Sequence, residues 1–204
     1  MLRLANKLNE MAEVVYAEPR MLSVLEQDVY TPDDLLYSHQ TYLPLIDWDA
    51  AWDTLDNTNV NLRGGTPEIC IAVLDIDGVT PNHPDLPAPL TGGSQKVLMS
   101  VNFASMFPEN PTDGFLDHHG TQVAGMATAA FDNNRGIAGV APNCHVIGAR
   151  LPFSPDDLES ADVILWTAGL DAGNTDPAFP AFPGQLADMI INSWGSGNSP
   201  LSHV

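Results

Sequence analysis

Ile71 to Val79 reads IAVLDIDGV. Four apolar residues lead into one carboxylate, Asp75; a second, Asp77, follows, and then Gly78. With Ile69 and Cys70 the run becomes ICIAVL, too apolar for a strand with one wet face, and it reads as a buried strand. A buried strand that ends on a carboxylate presents that group at its carboxyl end, where open α/β sheets place their function. Two chemistries begin this way. Asp75 either attacks a phosphoryl group or orients a histidine, and the rest of the chain has to decide.

On either side of this strand the elements alternate. Lys96–Val101, His145–Ala149 and Asp188–Asn192 read as further strands. Helical patterns cover Leu4–Met11, Pro44–Leu55, His119–Ala130 and Asp157–Leu170, and a short strand is expected at Val14–Tyr16. The His119–Ala130 pattern has a small-residue face of Ala124, Ala127 and Ala130. Gly64-Gly65 is a turn, and loops rich in Pro, Gly, Asn or Asp occupy Val79–Gly93, Asn102–His118, Asp132–Pro142 and Asp171–Pro183. Strands separated by helices or long crossings make the fold class α/β with a largely parallel sheet. Asp156-Asp157 reads as the cap of the helix it precedes.

Composition narrows the partners. The chain has 204 residues, 44% of them hydrophobic, enough for a sizeable core. Seven Lys and Arg against 26 Asp and Glu give a formal charge of −19. Such a surface repels polyanions, which speaks against nucleic acid and anionic membrane as partners. No apolar run reaches the length of about 18 residues that a membrane span needs. Cys70 and Cys144 each sit in an apolar run and read as two buried thiols rather than a bridge, which leaves the redox compartment open.

Asp75-Ile76-Asp77-Gly78 resembles the first motif of haloacid-dehalogenase-like phosphatases. That resemblance implies nucleophilic attack by Asp75, acid–base work by Asp77 and a magnesium ion. The further parts such an enzyme requires, a strand-end Ser or Thr, a later Lys and an acidic pair after an apolar strand, find poor matches here.

Four ordered blocks resemble the subtilisin and kexin clan of serine proteases instead. IAVLD with Gly78-Val79 and NHPDL, Asn82 to Leu86, resembles its aspartate segment. HHGTQVAGMATAA, His118 to Ala130, resembles its histidine segment; GIAGVAPNCHVIGARL, Gly136 to Leu151, resembles the following loop and strand. ADMIINSWG, Ala187 to Gly195, resembles the substrate-binding strand in its kexin-like form. The resemblance implies a three-layer subtilisin-like fold and a serine endopeptidase acting on polypeptide. Asp75 and His119 would be its catalytic members, and Ser193, Trp194 and Gly195 would line the substrate channel. A histidine in the first turn of a helix is held rigidly at a cleft, Gly120 allows close approach of another segment, and Thr121 can satisfy backbone groups nearby. Trp194 also reads as a core residue, and His118 as a loop residue.

The chain departs from the clan in two places. Asp-x-Asp-Gly is one residue longer than the usual aspartate turn; the spacing from Gly78 to HPDL is kept, so the extra residue is expected as a small bulge that leaves Asp75 in register. Asp77 then projects into the cleft, binds a cation, stands exposed in a loop or replaces Asp75. The second departure is an absence: neither Gly65-Thr66 nor Gly120-Thr121 is followed by serine, so no GTS-type nucleophile motif occurs, and no block for the oxyanion asparagine is present. The expectation is therefore an incomplete catalytic unit whose serine and asparagine lie on a missing or separate C-terminal chain, the chain being either one piece of an internally cut protease or a truncated fragment, with an inactive, binding-only homologue as the alternative.

The resemblance implies more at the N-terminal side. VVYAEP, Val14 to Pro19, resembles the end of an inhibitory prosegment, which divides the chain into a propeptide remnant and linker at 1–30 and the front of a peptidase domain at 31–204. The clan often binds structural calcium at the loop that is Asp132 to Gly136 here, making Asp132 and Asn134 candidate ligands, although a plain Asn/Gly turn explains the same residues. No cofactor is implied for the chemistry. Secretion as a zymogen is the implied localisation.

Overall fold

The computed structural model describes residues 31–56, 63–87, 95–103, 118–152, 157–170 and 187–195, with positions 7, 9 and 11 besides. The helix expected at Leu4–Met11, the strand at Val14–Tyr16 and the propeptide remnant at 1–30 lie almost wholly outside these residues, as do most of the Asn102–His118 loop and the Asp171–Pro183 loop.

Among the described residues four strands form one parallel sheet: β1 (Cys70–Asp75), β2 (Val97–Asn102), β3 (His145–Arg150) and β4 (Met189–Asn192), in the order β2-β3-β1-β4. Side chains alternate along β1. Cys70, Ala72 and Leu74 face one side with Ile147 and Ala149, and pack on Val163 and Trp166 of helix α4 (Asp157–Thr167). Val73 faces the other side, with Val146, and packs on Ala124 of helix α3 (His119–Thr128). The two helices thus cover opposite faces of the sheet, giving the three-layer α/β arrangement. The same alternation sends Asp75, two residues after Val73, to the α3 face, whose first residue is His119.

The buried stripe of α3 is Gly120, Thr121, Ala124, Gly125 and Thr128. The expected face of Ala124, Ala127 and Ala130 is therefore rotated, because the closest approach of the sheet is at Gly120 rather than at the alanines. The single helix expected over Pro44–Leu55 is two: α1 (Tyr42–Leu45) and α2 (Trp48–Asp56), separated at Asp47, whose φ of 51° no α-helix accommodates. Leu43, Trp48 and Trp52 bury themselves there against Phe131, the residue that follows α3 by a short loop.

The extra residue of the Asp-x-Asp-Gly motif is not a bulge in the ladder. Cys70 to Asp75 pair with His145 to Arg150 residue for residue, and the register irregularity among the described strands lies in β2, between Val97 and Met99. Ile76 and Asp77 fall in a turn beyond the strand, closed by Gly78 N–H donating to Asp75 O at 3.3 Å. A turn absorbs an inserted residue without breaking ladder hydrogen bonds, which a bulge in a central strand would do.

Cys70 and Cys144 are buried free thiols. Burial pushes the Cys70 thiol up to about 12. No helix among the described residues is long and apolar enough to cross a membrane.

Candidate active site

Asp75 ends β1 with none of its surface exposed. A carboxylate there must be hydrogen-bonded, and both oxygens are. Oδ2 lies 2.7 Å from His119 Nδ1. Oδ1 accepts from Asp77 N–H at 2.9 Å. The imidazole remains half exposed, at 52% for its side chain. With Nδ1 turned to a carboxylate, the ring is held as the tautomer whose Nε2 carries the free lone pair. A nucleophile must reach its substrate, and Asp75 has no exposed surface with which to do so; this removes the phosphoryl-attack reading of the motif.

Close approach makes this pair possible. A Cβ on Gly120 would overlap the Gly78 carbonyl oxygen and lie 2.8 Å from Asp75 Cβ. Any larger residue would push the strand end and helix α3 apart. Thr121 ties the same two segments together: its Oγ1 accepts from Thr80 N–H at 2.9 Å. His118, next to His119, is exposed, with φ at 51°.

Asp77 does not reach the imidazole in place of Asp75. Its Oδ2 accepts the backbone N–H of His119 at 3.1 Å. Ile76 packs partly buried against the sheet core, and its carbonyl accepts from Arg150 Nε at 3.1 Å.

The other segment expected at the site continues from β4. Ser193 N–H donates to Leu74 O at 3.0 Å, which carries the β4 pairing with β1 past the last strand residue. Trp194 packs against the core cluster, and its buried Nε1 finds no partner among the described residues; its ring serves packing. Gly195 is exposed, and a Cβ there would meet nothing within 4 Å among the described residues. Ser193 thus extends the pairing of β4 with the strand that ends in Asp75, and Trp194 and Gly195 follow it in the chain.

A second polar cluster joins the loop after α3 to the segment before α1. Asp33, Asp34 and Asp132 each bring a carboxylate oxygen within 4.8 Å of the others. Asp34 is buried, at 5% exposure; its Oδ2 accepts from Asp132 N–H at 2.9 Å, while Oδ1 has no partner among the described residues. Burial raises the Asp34 carboxyl above its ordinary range, the hydrogen bonds from the Asp132 and Asn133 backbone oppose this, and the charges of Asp33 and Asp85 add to it. Three hard oxygen donors with one buried lone pair unanswered fit a calcium-like cation. Asn134 stands one layer further out: its N–H and Nδ2 both donate to Asp33, at 3.1 and 3.2 Å. Sequence reasoning missed Asp33 and Asp34, whose only local signal is two adjacent acids after a proline.

Lys96 was also unforeseen as a buried group. It is 1% exposed, and its Nζ donates to the carbonyl of Thr128, at 2.8 Å, and to that of Pro142. Desolvation lowers its pKa to about 8, against a smaller upward pull from Cys144.

Comparison with known proteins gives the family. Residues 66–203 match the model of the Subtilase family, peptidase S8. Halolysin from Haloferax mediterranei is 35% identical over 159 residues, covering 76% of this chain and 27% of its own length. A thermophilic serine proteinase from Bacillus sp. (strain AK1) is 32% identical over 197 residues, covering 94% of this chain and 44% of its own. The chain thus spans less than half the length of these relatives. Among solved structures, a protease from Pseudoalteromonas arctica shares the fold with a TM-score of 0.57 at 23% identity, over 79% of this chain and 50% of that one. A parallel sheet whose central strand ends in a buried aspartate held against the first histidine of a covering helix, within a sequence matched over 66–203, makes this chain a member of the subtilase family.

Proposed function

We propose that this chain is the N-terminal part of a serine endopeptidase, supplying the aspartate and histidine of a Ser-His-Asp triad and part of the substrate channel. The observation that carries the reading is the 2.7 Å contact between the fully buried Asp75 carboxylate and the half-exposed His119 ring. A serine hydroxyl is a weak nucleophile until a base removes its proton. His119 Nε2 is that base. As the serine oxygen bonds to the scissile carbonyl carbon, its proton passes to Nε2, and Asp75 stabilises the imidazolium. The proton then goes to the leaving amine nitrogen as the peptide C–N bond breaks. Water repeats the sequence on the acyl-enzyme.

The serine and the oxyanion asparagine come from a C-terminal or companion chain, since no GTS-type motif occurs in these 204 residues. The backbone at Ser193 to Gly195 receives extended polypeptide by strand addition, and Gly195, whose absent Cβ would meet none of the described residues, suits a substrate side chain. Calcium would be held by Asp33, Asp34 and Asp132, where it neutralises clustered carboxylates and answers the Asp34 Oδ1 that has no partner among the described residues; it would supply structure, not chemistry. Residues 1–30 act as a propeptide remnant of a secreted zymogen.

The test is a serine-reactive phosphonate on the full-length protein, with Asp75→Ala beside it. Covalent labelling is expected in the wild type. Asp75→Ala should lower kcat by about three to four orders of magnitude with KM little changed. A full-length protein that binds peptide and takes no label would instead be a binding-only homologue. Full turnover in Asp75→Ala would remove Asp75 from the role.

A further inference from the structure

Among the described residues, helix α3 begins without a side-chain cap from the residue that precedes it. The first N–H groups of a helix have no partner within it, and the preceding residue normally supplies one from Ser, Thr, Asp or Asn. Here that residue is His118, in the left-handed conformation, and its side chain makes no capping bond among the described residues. The donor of His119 is answered instead by Asp77, 42 residues earlier in the chain. A carboxylate is the favoured charge at a helix N-terminus.

Asp77 touches the neighbouring triad member as well, through its backbone. Its N–H holds Oδ1 of Asp75 at 2.9 Å while Asp75 Oδ2 meets the His119 ring at 2.7 Å. The circuit closes: ring to Asp75, Asp75 to the Asp77 backbone, Asp77 carboxylate to the His119 backbone. Both ends of the histidine, ring and main chain, are thereby referred to one turn. That turn is itself pinned, by Gly78 N–H on Asp75 O, by Arg150 Nε on Ile76 O and by Leu151 N–H on Asp75 O at 3.0 Å. The inserted residue has a consequence here. It lets Asp75 stay in the β1 ladder while a second carboxylate reaches the start of α3.

We propose that Asp77 is a positioning residue for the Asp75–His119 couple, orienting the Asp75 carboxylate through its N–H and fixing the first turn of the histidine-bearing helix through its side chain. The proposal rests on the roles given to Asp75 and His119 under the proposed function. Its action is geometric. A hydrogen-bond acceptor at this position should suffice, and the negative charge should not be essential.

The experiment compares wild type, Asp77→Ala and Asp77→Asn in the full-length protein, with kcat counted per phosphonate-titrated site and thermal unfolding recorded for each. A second readout is the downfield proton NMR resonance of the His119 Nδ1–H held by Asp75. Asp77→Ala should lose about 10- to 100-fold in kcat with KM within about threefold, as a sub-ångström displacement of a catalytic group would produce, and the downfield resonance should broaden or vanish. Asp77→Asn keeps an oxygen for the His119 N–H and should restore both to near wild type. Wild-type kcat and an unchanged resonance in Asp77→Ala would overturn the proposal, as would an Asp77→Asn no better than Asp77→Ala. If Asp77→Ala does not fold, Asp77→Asn decides alone: a resonance and kcat near wild type support the clamp, and loss of both overturns it. A wild type that takes no phosphonate would sink the peptidase reading and not this one, because the resonance in the three proteins still reports whether Asp77 holds the couple.

Discussion

Lys96 offers a measurement whose sign and size follow from its surroundings. The side chain is closed off from water, and its amine donates to two carbonyls, one of them Thr128 at the end of the helix that begins with His119. Two donated bonds are within reach of a neutral amine as well as an ammonium, so these partners do not force the charge. Burial lowers the pKa from its ordinary 10.5 to about 8. At about 1.4 kcal/mol per pH unit, the charged form carries a burden of about 3 kcal/mol in the folded protein. Below pH 8 the amine is protonated whether folded or not, and the burden is fully present. Between about pH 8 and 10.5 the unfolded chain binds the additional proton, so stability rises with pH. Above that window the term is constant.

Lys96→Met removes the titration and leaves both carbonyls without their donor. Urea unfolding of wild type and variant at several pH values between 7 and 10.5 isolates the term as a difference. The wild type should gain about 3 kcal/mol on the variant across that range. The buried thiols act in the opposite direction: with Cys70 pushed up to about 12, the folded state holds a proton the unfolded chain releases, and stability falls as pH rises above about 9. That contribution is common to both proteins and cancels. Cys144 is the exception, because the Lys96 charge pulls its thiol down against the rise from burial; a Cys144→Ala background removes it. A wild-type-minus-variant difference that stays flat from pH 7 to 10.5 would refute the reasoning and show that the ammonium is held at no cost.

Gly120→Ala should destabilise the fold by roughly 1–3 kcal/mol, since its methyl group would overlap the Gly78 carbonyl oxygen and crowd Asp75; chemical unfolding reads the loss, and an unchanged midpoint would mean that the strand end and α3 separate freely. Calcium at about 100 times its Kd should stabilise the protein by about 2.7 kcal/mol, a rise of roughly 5–10 °C in Tm for a domain of this size, and Asp34→Asn should abolish that shift. A Tm indifferent to calcium and chelator in the wild type would leave the Asp33, Asp34 and Asp132 cluster without a cation.

Much of the site could be read because its determinants are local. The run of apolar residues before Asp75 makes a buried strand, and the two-residue alternation alone puts Asp75 on the side of Val73, away from Leu74, which is the side α3 covers. Asp77 shares that parity, so periodicity could not choose between the two carboxylates. The choice was made by where the strand ends, at the last residue paired with β3. The Trp48 helix was readable as amphipathic, but its break at Asp47 reflects a left-handed residue, a conformation that aspartate tolerates better than most residues but that its presence does not by itself announce.

What stayed hidden is long-range, and it follows one pattern. The cap of α3 comes from a residue 42 positions away, the acceptors of Lys96 from 32 and 46 away, and the donors to Asp33 and Asp34 from 101 and 98 away. Each is a polar or charged group that local rules send to the surface: an aspartate in a turn, a lysine at a strand start, an acidic pair after a proline. Each is answered by backbone groups that secondary structure leaves over, whether it is buried like Lys96 and Asp34 or still partly wet like Asp77. Asp77 meets an unpaired N–H at the start of α3, Lys96 a carbonyl at its end, and Asp34 an N–H in the loop that follows. A helix end is a set of unsatisfied donors or acceptors wherever it falls. The sequence marks where the helix stops and is silent about which distant side chain will answer. That is why the position of His119 was legible, while the turn that holds it in place became visible only once the two segments were brought together.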